Sequence, residues 1–237
     1  MFKQTLFALV CLASGLLAGG GQAATLSVSA QSPSGNVFAD ANGHNAWYVG
    51  ASYTLAGQSR HNVAAGVFRL KAFDATSHTS ADFMAFCLSP LAWLRLPLDY
   101  ARGNDLSSAA FNRLSALSNG AWGSIKNSKT AGAFQLAVWE IVSEAGTLNL
   151  NSGAFVLTGT TSKGAKTLAQ SWLKKVENGT FQGNPTVITT LKADNTQHLL
   201  TRDELPVPVP LPAGLGLMML ALGSFGAVAL RKQRRAA

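Results

Sequence analysis

The chain of 237 residues carries two cysteines and four histidines, so few side chains are suited to nucleophilic or metal chemistry. Cys11 lies in an apolar N-terminal stretch, which leaves Cys87 as the cysteine of the central region. A single cysteine there forms no internal disulfide, so Cys87 is free, pairs between chains, or is used chemically. The plain alternative is a buried thiol packing as a small hydrophobe. Its surroundings, Phe83-Met84-Ala85-Phe86-Cys87-Leu88, read as a strand with little polar interruption. The second residue of interest is Gln135. Phe134, Val138, Ile141 and Val142 recur at helical spacing across residues 131–146, with Thr130 as candidate N-cap and Gly146 as stop. Gln135 falls on a flank shared with Trp139 and Val142. An amide at the edge of an apolar face needs hydrogen-bond partners or carries a desolvation cost.

Other constellations lead nowhere. His44, His61, His78 and His198 lack metal-ligand spacing and sit in polar surroundings, so they are expected at the surface, with no metal bound. Asp99 with Asp105, and Glu140 with Glu144, invite a paired-carboxylate glycosidase reading. Glu140 and Glu144 lie four residues apart, however, a spacing that more often marks a solvated stripe. There is no serine motif of the nucleophile-elbow type and no phosphate-binding glycine loop. The expectation is a protein that is not an enzyme and needs no cofactor.

Phe86-Cys87-Leu88 and Phe134-Gln135-Leu136-Ala137-Val138-Trp139 together resemble the paired motifs of thioester domains in bacterial surface adhesins. The phrase from Ala133 to Ile141 is also similar to one in secreted PEP-CTERM-type proteins. The resemblance implies that a strand cysteine and a helix glutamine condense with loss of ammonia, Cys87 giving the sulfur and Gln135 the acyl carbon. Phe86, Phe134 and Trp139 would shield the bond from water. A lysine amine or a hydroxyl of a surface polysaccharide or protein would then attach covalently to Gln135 and free the Cys87 thiol. One departure stands out: Ser89-Pro90-Leu91 follows the cysteine where an acidic or polar continuation is expected. The other reading keeps the same fold with an inert Cys87, as a non-covalent component of an exopolysaccharide or biofilm matrix.

The two ends carry addresses. Lys3, an apolar stretch over residues 6–18 and the small residues Gly19-Gly20-Gly21-Gln22-Ala23 follow the order of a secretory signal peptide, cleaved after Ala23. At the other end stand Val209-Pro210-Leu211-Pro212-Ala213, an apolar run over residues 213–230, and the basic cluster Arg231, Lys232, Arg234 and Arg235. The run just reaches the length of a bilayer-spanning helix. The cluster marks its cytoplasmic side. This order closely resembles the VPLPA variant of PEP-CTERM sorting signals, read by exosortase-type membrane proteases of Gram-negative bacteria. It implies transient membrane anchoring, cleavage near the Pro-Ala signature, and release to the cell surface or extracellular matrix.

Those ends also explain the charge. The formal net charge of +8 and pI near 9.8 would suit a nucleic-acid binder. Five of the basic residues, Lys3, Arg231, Lys232, Arg234 and Arg235, belong to the end segments. The central region is only mildly basic, with Lys174-Lys175 as its one basic pair, so no nucleic-acid partner is expected.

The elements that must position Cys87 and Gln135 read as follows. Residues 25–30 alternate as a half-buried strand, and 46–55, 63–73 and 82–88 are rich in strand formers, with 57–62 as a hairpin connection. Residues 106–122, 131–146 and 163–177 show helical period, the last stopped by Asn178-Gly179. Short strands are expected at 154–158, 186–192 and 198–201. Strands, then helices, then strands predict an α+β fold: mainly a β-sandwich or barrel with an inserted small helical bundle. The expected organisation is a signal peptide at 1–23, a thioester-domain-like exported domain at 24–204, and a Pro-rich linker with the sorting signature at 205–212. A transmembrane sorting helix at 213–230 and a basic cytoplasmic tail at 231–237 complete it.

Overall fold

The computed structural model describes residues 25–103, 105–159, 161–181 and 188–206. The expected signal peptide, sorting signature (Val209, Pro210, Leu211, Pro212, Ala213), membrane helix and basic tail lie outside the described residues. Among the described residues no helix is long and apolar enough to cross a membrane.

The fold is α+β and mainly β. Six antiparallel strands close a barrel in the order β1 (Thr25–Ala30), β4 (Phe68–Asp74), β5 (Thr79–Cys87), β9 (Leu199–Thr201), β8 (Thr189–Lys192) and β6 (Leu98–Arg102). A second sheet has the order β3 (Gln58–Gly66), β2 (Tyr48–Leu55), β7 (Phe155–Thr158). Three helices, α1 (Ser108–Ala121), α2 (Ser128–Ser143) and α3 (Lys163–Glu177), lie in the chain between barrel strands β6 and β8. The expected helical insertion is therefore present, and of the two expected β architectures the barrel is the one formed.

Strand alternation builds the barrel wall. Leu26 and Val28 of β1 and Phe68, Leu70 and Ala72 of β4 are buried, while Thr25, Ser27, Lys71 and Phe73 are exposed. In β5 the alternation fails: Ala85, Phe86 and Cys87 are all buried. Both faces are covered there, because the rings of Phe86 and Phe134 of α2 meet with centroids 4.5 Å apart.

Three expectations need correction. Residues 57–62 are not a connection: the turn is only Ala56-Gly57, both at positive φ (50° and 76°), and β3 begins at Gln58. The polar run Gln58–Asn62 is the outer end of an edge strand, where one face and one edge meet solvent. Second, 63–73 is two strands, because the chain leaves the small sheet after Gly66 and enters the barrel at Phe68. Third, residues 98–102 form a strand, β6, although the carboxylate of Asp99 masks it in the sequence and its buried member is Tyr100.

Candidate functional site

The site forms where β4 runs out. The β4–β5 ladder ends at the pair Phe68–Ala85, whereas β5 continues to Cys87. Ahead of β4 the chain has turned away, the Val67 N–H donating to the Trp47 carbonyl. On the other flank Phe86 and Cys87 pair with Leu200 and Leu199 of β9, and the Leu88 N–H donates to the His198 carbonyl. Main-chain polar groups of successive strand residues point to opposite sides. Those of Cys87 therefore face the side that β4 no longer covers.

Gln135 takes that place. The Cys87 N–H donates to Gln135 Oε1 at 2.9 Å, and Gln135 Nε2 donates to the Cys87 carbonyl at 2.8 Å. The carboxamide thus pairs with Cys87 as a neighbouring strand would. Both residues are 1% exposed. The requirement that the glutamine amide find partners is met by the backbone of the cysteine itself.

Helix α2 delivers the glutamine at a fixed height. Its start is set by a capping box: Thr130 N–H donates to Asn127 Oδ1 at 3.0 Å, and Asn127 N–H donates to Thr130 Oγ1 at 3.2 Å. Asn127, not Thr130, is the N-cap, and the helix ends at Ser143, short of Gly146. Residues 131–141 are buried without interruption, so α2 has no solvated face over that length. Gly132 lets it approach β2 and β3: a Cβ there would lie 2.5 Å from Val49 Cγ2 and 3.2 Å from the Ala65 carbonyl oxygen.

The thiol is enclosed. Burial pushes the Cys87 thiol up to about 12, so it is protonated at neutral pH. The Ser89 N–H donates to Sγ at 3.3 Å. The Trp139 indole N–H is buried with no hydrogen-bond partner among the described residues, and its nearness to the sulfur offsets part of the effect of burial. Burial raises the Tyr53 hydroxyl to about 12, and a charge on the nearby Cys87 sulfur would raise it further. Of the expected shields, Phe86 and Phe134 pack with Trp122 (centroids 5.5 Å from each). Trp139 packs on Tyr53 at 5.2 Å. Tyr53 and Trp122 escaped the sequence reading, because an aromatic in a strand or after a helix carries no local sign of its distant neighbour.

The remaining candidates resolve differently. Glu140 is fully buried rather than part of a solvated stripe: Oε1 accepts from the Asn149 N–H at 2.6 Å, and burial raises its carboxyl to about 7. Glu144 accepts from the N–H groups of Gly146 and Ala154, which hold the same loop. Asp105 pairs with Lys192, and Asp99 is exposed on β6. His44, His61 and His78 are exposed and His198 is half-buried; among the described residues no cluster could hold a metal ion.

No protein-family model matches the chain, and no curated protein matches it. Among solved structures the chain is similar to the thioester domain of the Staphylococcus aureus TIE protein. The TM-score is 0.40 at 13% identity, over 76% of this chain and 79% of that one. A likeness at that level decides nothing about function, so the chemistry must be argued from Cys87 and Gln135.

Proposed function

We propose that the protein is an exported, surface-sorted covalent adhesin in which Cys87 and Gln135 condense to an internal thioester. The observation that carries the reading is the paired hydrogen bonding between the Gln135 carboxamide and the Cys87 main chain. In the proposed step Sγ adds to the Gln135 acyl carbon, and negative charge develops on Oε1. The Cys87 N–H already donates to that oxygen, as an oxyanion-hole donor does. The departing nitrogen takes the thiol proton and leaves as ammonia, so the bond forms without an outside reagent. Holding both groups in one geometry supplies the proximity that such a reaction needs.

Capture reverses the exchange. A hydroxyl or amine adds to the acyl carbon, the C–S bond breaks, and the thiolate leaves with the electron pair and takes the nucleophile's proton. Each chain reacts once, so this is attachment rather than turnover. The surrounding aromatics keep water out, which slows hydrolysis in the meantime. Export by the N-terminal segment and release by an exosortase-type protease at Pro212-Ala213 complete the proposed route to the surface.

A second reading is favoured by the same hydrogen bonds. They give both the oxygen and the nitrogen of the carboxamide a partner, so Gln135 is explained as a substitute for the missing length of β4, and the protein is then a matrix component with an inert thiol. Intact mass of the full chain as its cells make it, beside Cys87→Ala and Gln135→Ala, separates the two. A parent one ammonia lighter than its sequence, with both variants at their calculated masses, supports the thioester. A freshly made parent at its full mass overturns it. Cell fractionation tests the route: replacing residues 209–213 by a Gly-Ser segment should leave the chain in the membrane, and release of that variant would refute sorting.

A further inference from the structure

Among the residues that line a cavity of about 300 Å³ are Phe38, Tyr53, Arg60, Trp93, Trp139 and Gln197. We infer that it is a sugar-binding subsite that selects the nucleophile for Gln135; the covalent part of this inference rests on the thioester reading. Tyr53 and Trp139, ring centroids 5.2 Å apart, belong both to the cavity wall and to the surroundings of the sulfur. Cys87 and Gln135 are not among the lining residues; Tyr53 and Trp139 are the side chains that separate the cavity from the sulfur.

Its rim is built in advance. The segment after Cys87 is tied down from several elements: Tyr53 Oη donates to the Pro90 carbonyl, and Arg60 Nη2 donates to the Leu91 carbonyl at 3.1 Å. Gln197 Nε2 donates to the Ala92 carbonyl at 2.7 Å, and Thr196 Oγ1 donates to the Trp93 carbonyl at 3.3 Å. What this fixed segment displays is Trp93, 69% exposed. A flat indole held in water beside a cavity offers a platform for the C–H face of a pyranose ring.

Charge favours a hydroxyl over an ammonium. Arg60 reaches the cavity, its guanidinium 6.0 Å from the Trp93 ring centroid, and among the described lining residues there is no aspartate or glutamate. A lysine ammonium meets a cation and no counter-charge; a neutral or acidic sugar meets neither difficulty. In the capture step the sugar O–H adds to the Gln135 acyl carbon, an ester forms, the C–S bond breaks, and the thiolate takes the hydroxyl proton.

The test uses the full chain with the methyl glycosides of glucose, galactose, mannose and glucuronic acid, and with Nα-acetyl-lysine methylamide. Binding is read by tryptophan fluorescence and capture by intact mass. At least one glycoside should bind, with affinity reduced about tenfold or more by Trp93→Ala, and should add to the parent but not to Cys87→Ala. Binding without addition to Cys87→Ala is expected because the cavity does not need the sulfur. Absence of Trp93-dependent binding by all four glycosides overturns the subsite, even in a chain that has lost ammonia. Faster addition of the lysine amide than of every glycoside overturns the selection. Trp93-dependent binding in a chain that has not lost ammonia supports the subsite and removes only the thioester.

Discussion

Gln135 and Cys87 lie 48 residues apart and exchange two hydrogen bonds, of 2.9 and 2.8 Å, through the carboxamide of one and the main chain of the other. The barrel thereby gains the last rung of a ladder that β4 is too short to provide. This relationship serves both candidate functions, since it satisfies a buried strand end and also holds an acyl carbon beside a thiol-bearing residue. The two roles separate under mutation.

On a Cys87→Ala background, where no thioester can form, Gln135→Ala should still destabilise the fold. It strands a buried N–H and a buried C=O, each costing roughly 1–3 kcal/mol, so a total loss of about 2–6 kcal/mol is expected. Denaturant unfolding of the single and double variants measures it. A difference below about 1 kcal/mol would mean that Gln135 is not the structural partner of Cys87.

Thiol titration reports the chemistry. With burial holding the Cys87 thiol at about 12, the native protein should not react with N-ethylmaleimide at neutral pH. Unfolding in acid should leave the sulfur masked, while methylamine treatment before unfolding should expose it to a pyridyl disulfide. Labelling of the native chain would contradict the enclosure. A thiol that appears on acid unfolding alone would contradict the thioester.

Much of this arrangement is legible in the sequence where a local period meets one packing partner. The alternation of Leu26 and Val28 and the stripe of Ala165, Ala169 and Trp172 on α3 are such cases. The Cys87–Gln135 pairing was reachable through resemblance, not through spacing. What stayed hidden depends on distant chain. Gln58–Asn62 is polar because β3 is an edge, so a strand looks like a loop. Glu140 lies on a helix enclosed on all sides, and it is covered by the loop whose Asn149 N–H it accepts. No helical period reveals that cover. Trp139 and Gln197 become one cavity wall only when β9 returns beside the segment that follows Cys87.

Gly132 should be intolerant of a side chain for reasons of position rather than propensity. Alanine favours a helix by about 1 kcal/mol over glycine. The added Cβ would meet Val49 Cγ2 at 2.5 Å, however, and valine has little rotamer freedom to yield. Overpacking of this kind costs roughly 1–3 kcal/mol. The expected result for Gly132→Ala is a lower unfolding midpoint together with slower ammonia loss, since Gln135 sits one turn further along α2. A more stable variant with unchanged mass kinetics would show that the close approach of α2 to the small sheet is not needed.

Glu140 should give stability a dependence on pH across neutrality. Burial, aided by the carboxylates of Glu144 and Glu177, lifts its carboxyl from the ordinary value of 4.5 to about 7. The native state therefore holds a proton that the unfolded chain releases. Its contribution is fully present below about pH 4.5 and is lost as pH rises through about 7. Glu144, Asp40 and Asp74 run the other way, their carboxyls lowered chiefly by hydrogen bonds, and they lose their contributions on acidification. Those three are common to the parent and to Glu140→Gln, so the difference between the two proteins isolates Glu140. Thermal unfolding between about pH 5 and 8 should show the parent losing stability relative to the variant as pH rises. A difference that stays flat over that range would mean that Glu140 ionises as freely in the folded protein as in the unfolded one.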